Sequence, residues 1–213
     1  MSMKVFKPLK GPFSQAASNP AASIDLPLSP GALEFNPNDF SAGENCYAYA
    51  LNRQGQNREF NPGYIALQDG KEYVHFDRLF QYEIDRLSNE SYDAYVKKVK
   101  AHFESEAVRD GLIPIEEQKG CASGAGYFVA MVMKDHSHKQ HTVRDIDYHW
   151  LRQNPDGTWS HKTPSTLPTN KDSDNNLIMD PRTANLGDYK HFVGFFFVPQ
   201  KIKPLQATTL KMK

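Results

Sequence analysis

Asn154-Pro155-Asp156-Gly157 constrains this chain more than any other stretch. Proline has the fixed φ that suits the second position of a type I turn, and glycine suits the left-handed bulge that follows it. The pattern predicts a three-residue hairpin loop, Pro155 to Gly157, with Asn154 opposite Thr158. Register follows by counting back from the turn. Gln153 faces Trp159, Leu151 faces His161, and His149 faces Thr163. Side chains alternate across a strand, so a two- or four-residue loop would put His149 and His161 on opposite faces. The three-residue loop puts both on one face as diagonal neighbours, about 7–8 Å apart at the backbone, within reach of each other's imidazoles.

The surrounding pattern predicts an α+β domain. Residues 41–55 and 73–111 carry helical periodicity, and strands follow from residue 126 onward. Ser41 and Glu44 have capping-box spacing, predicting a helix that runs to about Arg53 and stops near Gly55. Asn61-Pro62-Gly63 reads as a turn. Phe76 to Leu87 and Tyr92 to about Arg109 read as two helices of an insertion, the second carrying Tyr95, Val99, His102, Phe103 and Val108, with Gly111 ending it. Gly126 to Met133 and His191 to Val198 read as buried strands, Thr142 to Gln153 and Thr158 to Lys162 as the hairpin, and 163–190 as a long polar loop. Residues 1–40, rich in Pro, Ser, Ala and Asn, read as an extended arm, 41–200 as the domain, and 201–213 as a tail.

Composition narrows the classes of function. With 25 basic and 25 acidic residues the net charge is zero, which argues against a general nucleic-acid or membrane-surface binder. No apolar run reaches the length of a membrane span, and no apolar segment follows the basic start, so no secretory signal peptide is expected. Two cysteines do not make a disulfide scaffold, which suits a reducing cytoplasm as the place of synthesis.

One of those cysteines, Cys46, lies at a helix start in Ser41-Ala-Gly-Glu-Asn-Cys46-Tyr-Ala-Tyr-Ala. A thiol at a helix N-terminus and an imidazole on a later strand are the two parts that thiol hydrolysis needs. The thiolate attacks, and the imidazole first takes and later returns the proton. On this reading the helix end lowers the Cys46 pKa, His149 is the base, His161 fixes its tautomer and orientation, and the Cys46 N–H helps to hold the oxyanion. No cofactor or metal is needed.

Asn45-Cys46-Tyr47-Ala48-Tyr49-Ala50, Tyr148-His149-Trp150 and Trp159-Ser160-His161-Lys162 resemble the papain-like cysteine hydrolases of the NlpC/P60 and CHAP kind. Those families place a Cys at a helix N-terminus, a His on the first strand of a sheet and a polar third residue on the next strand. In NlpC/P60 enzymes the third residue is often a His about twelve positions after the first, as here. The resemblance covers roughly residues 41–55 and 126–198. Two features depart from it: the longer gap between Cys46 and His149, assigned to the helical insertion, and Asn-Cys-Tyr-Ala in place of Asp-Cys-Ser-Gly. The resemblance implies a nucleophile helix packed on an antiparallel sheet and cleavage of amide bonds, most directly in peptidoglycan stem peptides. The chain also resembles type VI secretion effectors that attack a rival's cell wall. That implies export to the periplasm of a target cell, secretion machinery and an immunity protein as partners, and peptidoglycan as substrate.

Alternatives stand beside each of these readings. Asp180 and Asp147 are rival third residues, and His161 could equally cap the hairpin. Cys121, in a small-residue loop, reads as a structural thiol. Asp135, His136, His138 and His141 read as a polar turn rather than a metal cluster. Trp150 and Trp159 either line a groove or pack the hairpin, and 163–176 is either a lid or a plain loop. For function, the alternatives are a papain-like toxin acting on proteins, whether as protease, deamidase or transglutaminase, and a non-enzymatic binding module.

Overall fold

The predicted turn sets the sheet. In the computed structural model, which describes residues 31, 33–41, 43–56, 60–68, 92–115, 126–134 and 147–200, Gly157 sits at φ 84° and Asn154 N–H donates to the Thr158 carbonyl at 2.8 Å. Strand β3 (Tyr148–Gln153) then pairs with β4 (Trp159–His161) in the register Leu151↔His161, Arg152↔Ser160, Gln153↔Trp159, as the turn chemistry requires. With β1 (Ile113–Ile115), β2 (Gly126–Met133) and β5 (His191–Pro199) they form one antiparallel sheet of order β1-β5-β2-β3-β4. The domain is α+β.

Alternation along β2 divides the core in two. Tyr127, Val129, Met131 and Met133 face the helices, while Phe128, Ala130 and Val132 face the long loop. Both faces are covered, so β2 is buried throughout and reads as a continuous apolar run. The hairpin obeys the same parity. Trp150 belongs to the helix side, and Leu151 and Trp159 to the loop side. The loop closes over that side by pairing Trp159 with Ile178 and His161 with Thr169. β1 was not legible in the sequence. It is three residues long and carries Pro114, which an edge strand tolerates.

Among the described residues, three helices lie on the other face: α1 (Cys46–Ala50), α2 (Tyr64–Gln68) and α3 (Tyr92–Arg109). The first is shorter than the predicted helix. Gly43 takes φ 112°, so the helix begins after it, and Asn45 caps α1 by accepting the Ala48 N–H at 2.9 Å. The capping box half forms: Glu44 accepts the Ser41 N–H at 2.7 Å, but outside the helix. At the other end Asn52 turns left-handed at φ 52°, and Arg53 and Asn52 donate to the Ala48 and Tyr49 carbonyls. This is a Schellman stop, with asparagine in the place usually taken by glycine. α3 has its predicted bounds, and Val99 and Phe103 of the predicted residues are buried together with Val96 and Ala107, while Val108 is exposed. The helix predicted over Phe76 to Leu87 lies outside the described residues, as do 1–30 of the arm and the tail.

Asp110 ties the helices together. Its carboxylate accepts the Tyr47 OH (2.8 Å) from α1, the Gly63 N–H (2.7 Å) from the Asn61-Pro62-Gly63 turn and the Ala66 N–H (2.9 Å) from α2. Burial raises this carboxyl to about 6, against the pull of those three donors. Asp110→Asn turns one oxygen into a donor facing a donor. The expected result is a loss of about 1–3 kcal/mol in chemical denaturation, with the sheet's circular dichroism retained. Among the described residues no helix is long and apolar enough to cross a membrane.

Candidate active site

Strand β4 pairs with β3 only from Leu151 to Gln153. Beyond that point the β3 edge is met by the start of α1. The Cys46 thiol lies 3.9 Å from the Tyr148 carbonyl, to which it donates, and the Trp150 backbone N–H favours its thiolate form. Tyr148 and Trp150 flank His149. The nucleophile candidate therefore comes from the helix face and meets β3 at its edge, on either side of the histidine.

The two imidazoles also meet. His149 Nε2 and His161 Nδ1 are 2.7 Å apart, with the rings at 89°. His161 Nε2 lies 3.0 Å from the Lys171 carbonyl. A carbonyl only accepts, so His161 Nε2 carries the proton. In a neutral ring Nδ1 is then the acceptor, and His149 must donate to it from Nε2. That leaves an unprotonated lone pair on His149 Nδ1. A backbone carbonyl thus sets the tautomer of both rings.

The electrostatics agree with neutral rings. Burial, supported by the neighbouring His161, holds His149 well below its ordinary 6.5. Burial also lowers His161, against the Lys171 carbonyl and Asp172, which favour its cation. The thiol departs from expectation. Burial pushes Cys46 up to about 12; the N–H groups of Trp150, Cys46 and Tyr47 oppose this, and the Asp147 carboxylate adds to it. A five-residue helix offers a weak dipole, and desolvation of a residue only 6% exposed outweighs it. The resting pair is thiol and neutral imidazole, not thiolate and imidazolium.

The rival third residues are engaged elsewhere. Asp180 forms a two-pronged ion pair with Arg182, Oδ2 to Nη2 at 2.8 Å, and accepts the Arg182 N–H. Asp147 accepts its neighbour's N–H at Tyr148 and the Tyr189 OH at 2.6 Å. Trp150 and Trp159 are fully buried and pack the sheet's two sides. Cys121 and the Asp135, His136, His138, His141 group lie outside the described residues. Among the described residues no group of three or more His, Cys, Asp or Glu could hold a metal.

Two residues escaped the sequence reading. Lys162 is fully buried, and its ammonium donates to the Glu44 carbonyl (2.6 Å) and the Thr163 carbonyl (3.1 Å). It pins the segment leading into Cys46. Strand parity gave the available signal, since Ser160 and Lys162 alternate onto the helix face. Tyr189 stacks on His149 with centroids 5.1 Å apart. Nothing local marked it, because a long loop brings it there.

These shifts carry a stability consequence. The unfolded chain binds protons on both histidines below about pH 6.5, while the folded chain resists them, so stability is present above that value and lost as pH falls. Asp110 works in the opposite sense. Its folded value of about 6 exceeds the ordinary 3.8, so it favours the folded state on acidification. Two sites outweigh one. Thermal melts from about pH 7 to about pH 5 are expected to show falling stability, with a flatter profile in the His149→Gln, His161→Gln double variant.

A stretch of 52 residues, 24% of the chain, is 46% identical to Insoluble matrix shell protein 1 of Ruditapes philippinarum. The match covers 35% of that protein, so the chain spans about a third of the relative's length. No protein-family model matches the chain, and no solved structure matches it.

Proposed function

We propose that this chain is a papain-like cysteine hydrolase that cleaves amide bonds, with peptidoglycan stem peptides as its substrate. The observation that carries the reading is the ordered relay from the Lys171 carbonyl through His161 to His149, with the Cys46 thiol against the same stretch of β3. Each group has a role that balances. His149 Nδ1 takes the thiol proton as sulfur adds to the substrate carbonyl carbon. The negative charge passes to the carbonyl oxygen, where the Cys46 N–H is one donor. Collapse of this intermediate expels the amine, which leaves with the proton held by His149, and a thioester remains on Cys46. Water, deprotonated by His149, then releases the acid and restores the thiol. His161 keeps Nε2 of His149 protonated throughout and stabilises the imidazolium, as carboxylates do in other triads.

Because the thiol pKa is raised, proton transfer and attack are coupled, and no standing thiolate is required. The substrate class rests on the resemblance to NlpC/P60 and CHAP hydrolases and to type VI secretion effectors. With it come action in the periplasm of a target cell, delivery by secretion machinery and neutralisation by an immunity protein. The test is incubation of the protein with purified sacculi, followed by mass separation of soluble products. New stem-peptide fragments with the wild type and none with Cys46→Ala are expected. Absence of fragments with the wild type would overturn the substrate and direct the search to amide bonds in proteins. A non-enzymatic binding module is the second reading, favoured by the relative whose name describes an insoluble matrix protein.

A further inference from the structure

His149 meets two rings, and one of them has no part in the relay. His161 meets its Nε2 from β4, and Tyr189 covers its ring from the loop before β5, while Cys46 donates to the carbonyl of Tyr148 next to it and Asp147 stands two residues before it. The Tyr189 ring lies 32° from the imidazole plane, with centroids 5.1 Å apart. Its hydroxyl donates to Asp147 Oδ2 at 2.6 Å, and Asp147 Oδ1 accepts the Tyr148 N–H at 2.9 Å. Both ends of this brace are therefore fixed: one to the backbone beside the histidine, the other to the loop. The stacked ring removes water from one imidazole face and restricts ring rotation. His149 is only 3% exposed, and Tyr189, half-buried, lies on its outer side.

We propose that Tyr189, braced by Asp147, is a positioning residue that roofs His149, keeping its ring dry and aimed between Cys46 and His161. This rests on the reading of His149 as a general base. The hydroxyl and the ring have separable roles. The ring excludes water from the histidine. The hydroxyl holds the ring in place and satisfies a carboxylate that would otherwise face the thiol with its full charge.

The experiment is a pH titration of His149 by heteronuclear NMR in the wild type, Tyr189→Phe and Tyr189→Ala, paired with the pH profile of kcat/KM on sacculus-derived peptide. In Tyr189→Ala water reaches the imidazole, so its midpoint should move up toward the ordinary histidine value. The acid limb of activity should move up with it, and kcat should fall about 10- to 100-fold with a smaller change in KM. Tyr189→Phe keeps the ring and should titrate close to the wild type. An alanine variant that titrates as the wild type does overturns the roof, and so does a phenylalanine variant that shifts as far as alanine. If Tyr189→Ala fails to fold, Tyr189→Thr makes the same comparison, since its short side chain cannot cover the imidazole face. The titration needs no turnover. A shifted midpoint in a protein that hydrolyses nothing would leave the roof standing and sink the hydrolase reading. An unshifted midpoint in an active enzyme would do the reverse.

Discussion

Cys46→Ala should reduce amide hydrolysis by more than about 10³-fold while leaving the melting temperature within a few degrees of the wild type. The two halves of this expectation have different causes. Without the sulfur no acyl-enzyme forms, and His149 can offer only base catalysis to water. The fold has little at stake in the sulfur. The hydrogen bond it donates is weak, at 3.9 Å to the Tyr148 carbonyl. α1 is held by its Asn45 cap, by Tyr47 against Trp150 and Phe60, and by the Tyr47 hydroxyl on Asp110. Deleting one sulfur from a buried site costs about 1 kcal/mol. Steady-state hydrolysis and a thermal melt on the same preparation decide the matter. Retained activity would remove the nucleophile role, and a collapsed melt would reassign Cys46 to the core.

Trp150→Ala should have the largest effect on stability, about 3–5 kcal/mol. Trp150 lies in the sheet between α1 and β5, fully buried, with Tyr47 at 5.2 Å and Phe196 at 5.3 Å. Truncation opens a ring-sized cavity where α1 meets the sheet. A domain of this size holds only about 5–15 kcal/mol in total, so the melting temperature should drop by about 10 °C. Trp150→Phe should cost much less. It refills most of the volume and removes an indole Nε1 that is buried with no hydrogen-bond partner. Urea denaturation of both variants is the check, and equal losses would show that the indole nitrogen, rather than ring volume, matters.

The hairpin was legible because turn chemistry is local. Asn154-Pro155-Asp156-Gly157 fixes loop length, loop length fixes parity, and parity puts His149 beside His161. The apolar runs of β2 and β5 were legible for a similar reason, since a strand covered on both faces has no polar alternation to disguise it. The bounds of α1 were not. They depend on left-handed backbone at Gly43 and Asn52, and the capping-box spacing of Ser41 and Glu44 competed with the true cap at Asn45. In α3 the burial of Val99 and Phe103 was legible, but the exposure of Val108 was not, because the sheet selects which apolar residues near the helix end it covers.

The site divides along the same line. The meeting of His149 and His161 was visible in residue types and spacing. The direction of the thiol shift was not, because a sequence shows a helix start but not how deeply its first residue is buried, and burial prevailed. The proton placement on both rings depends on the Lys171 carbonyl, ten residues along from His161 in a loop. Tyr189 and Asp147 act through a contact that exists only once residues 163–190 fold back along β4, and Lys162 acts through one to Glu44, far from it in the sequence. Long loops carry such information in their closure, which no local pattern encodes.

A p-nitrophenyl ester offers the most direct examination of Cys46 as a nucleophile served by His149, because its leaving group needs no proton. Rapid mixing at neutral pH should give a burst of p-nitrophenolate equal to the enzyme concentration. Mass spectrometry of the quenched protein should find the acyl group on the Cys46 peptide, at a rate lowered about 10²-fold or more by His149→Ala. An adduct on Cys121 instead, or acylation of Cys46 that proceeds equally fast without His149, would contradict the relay.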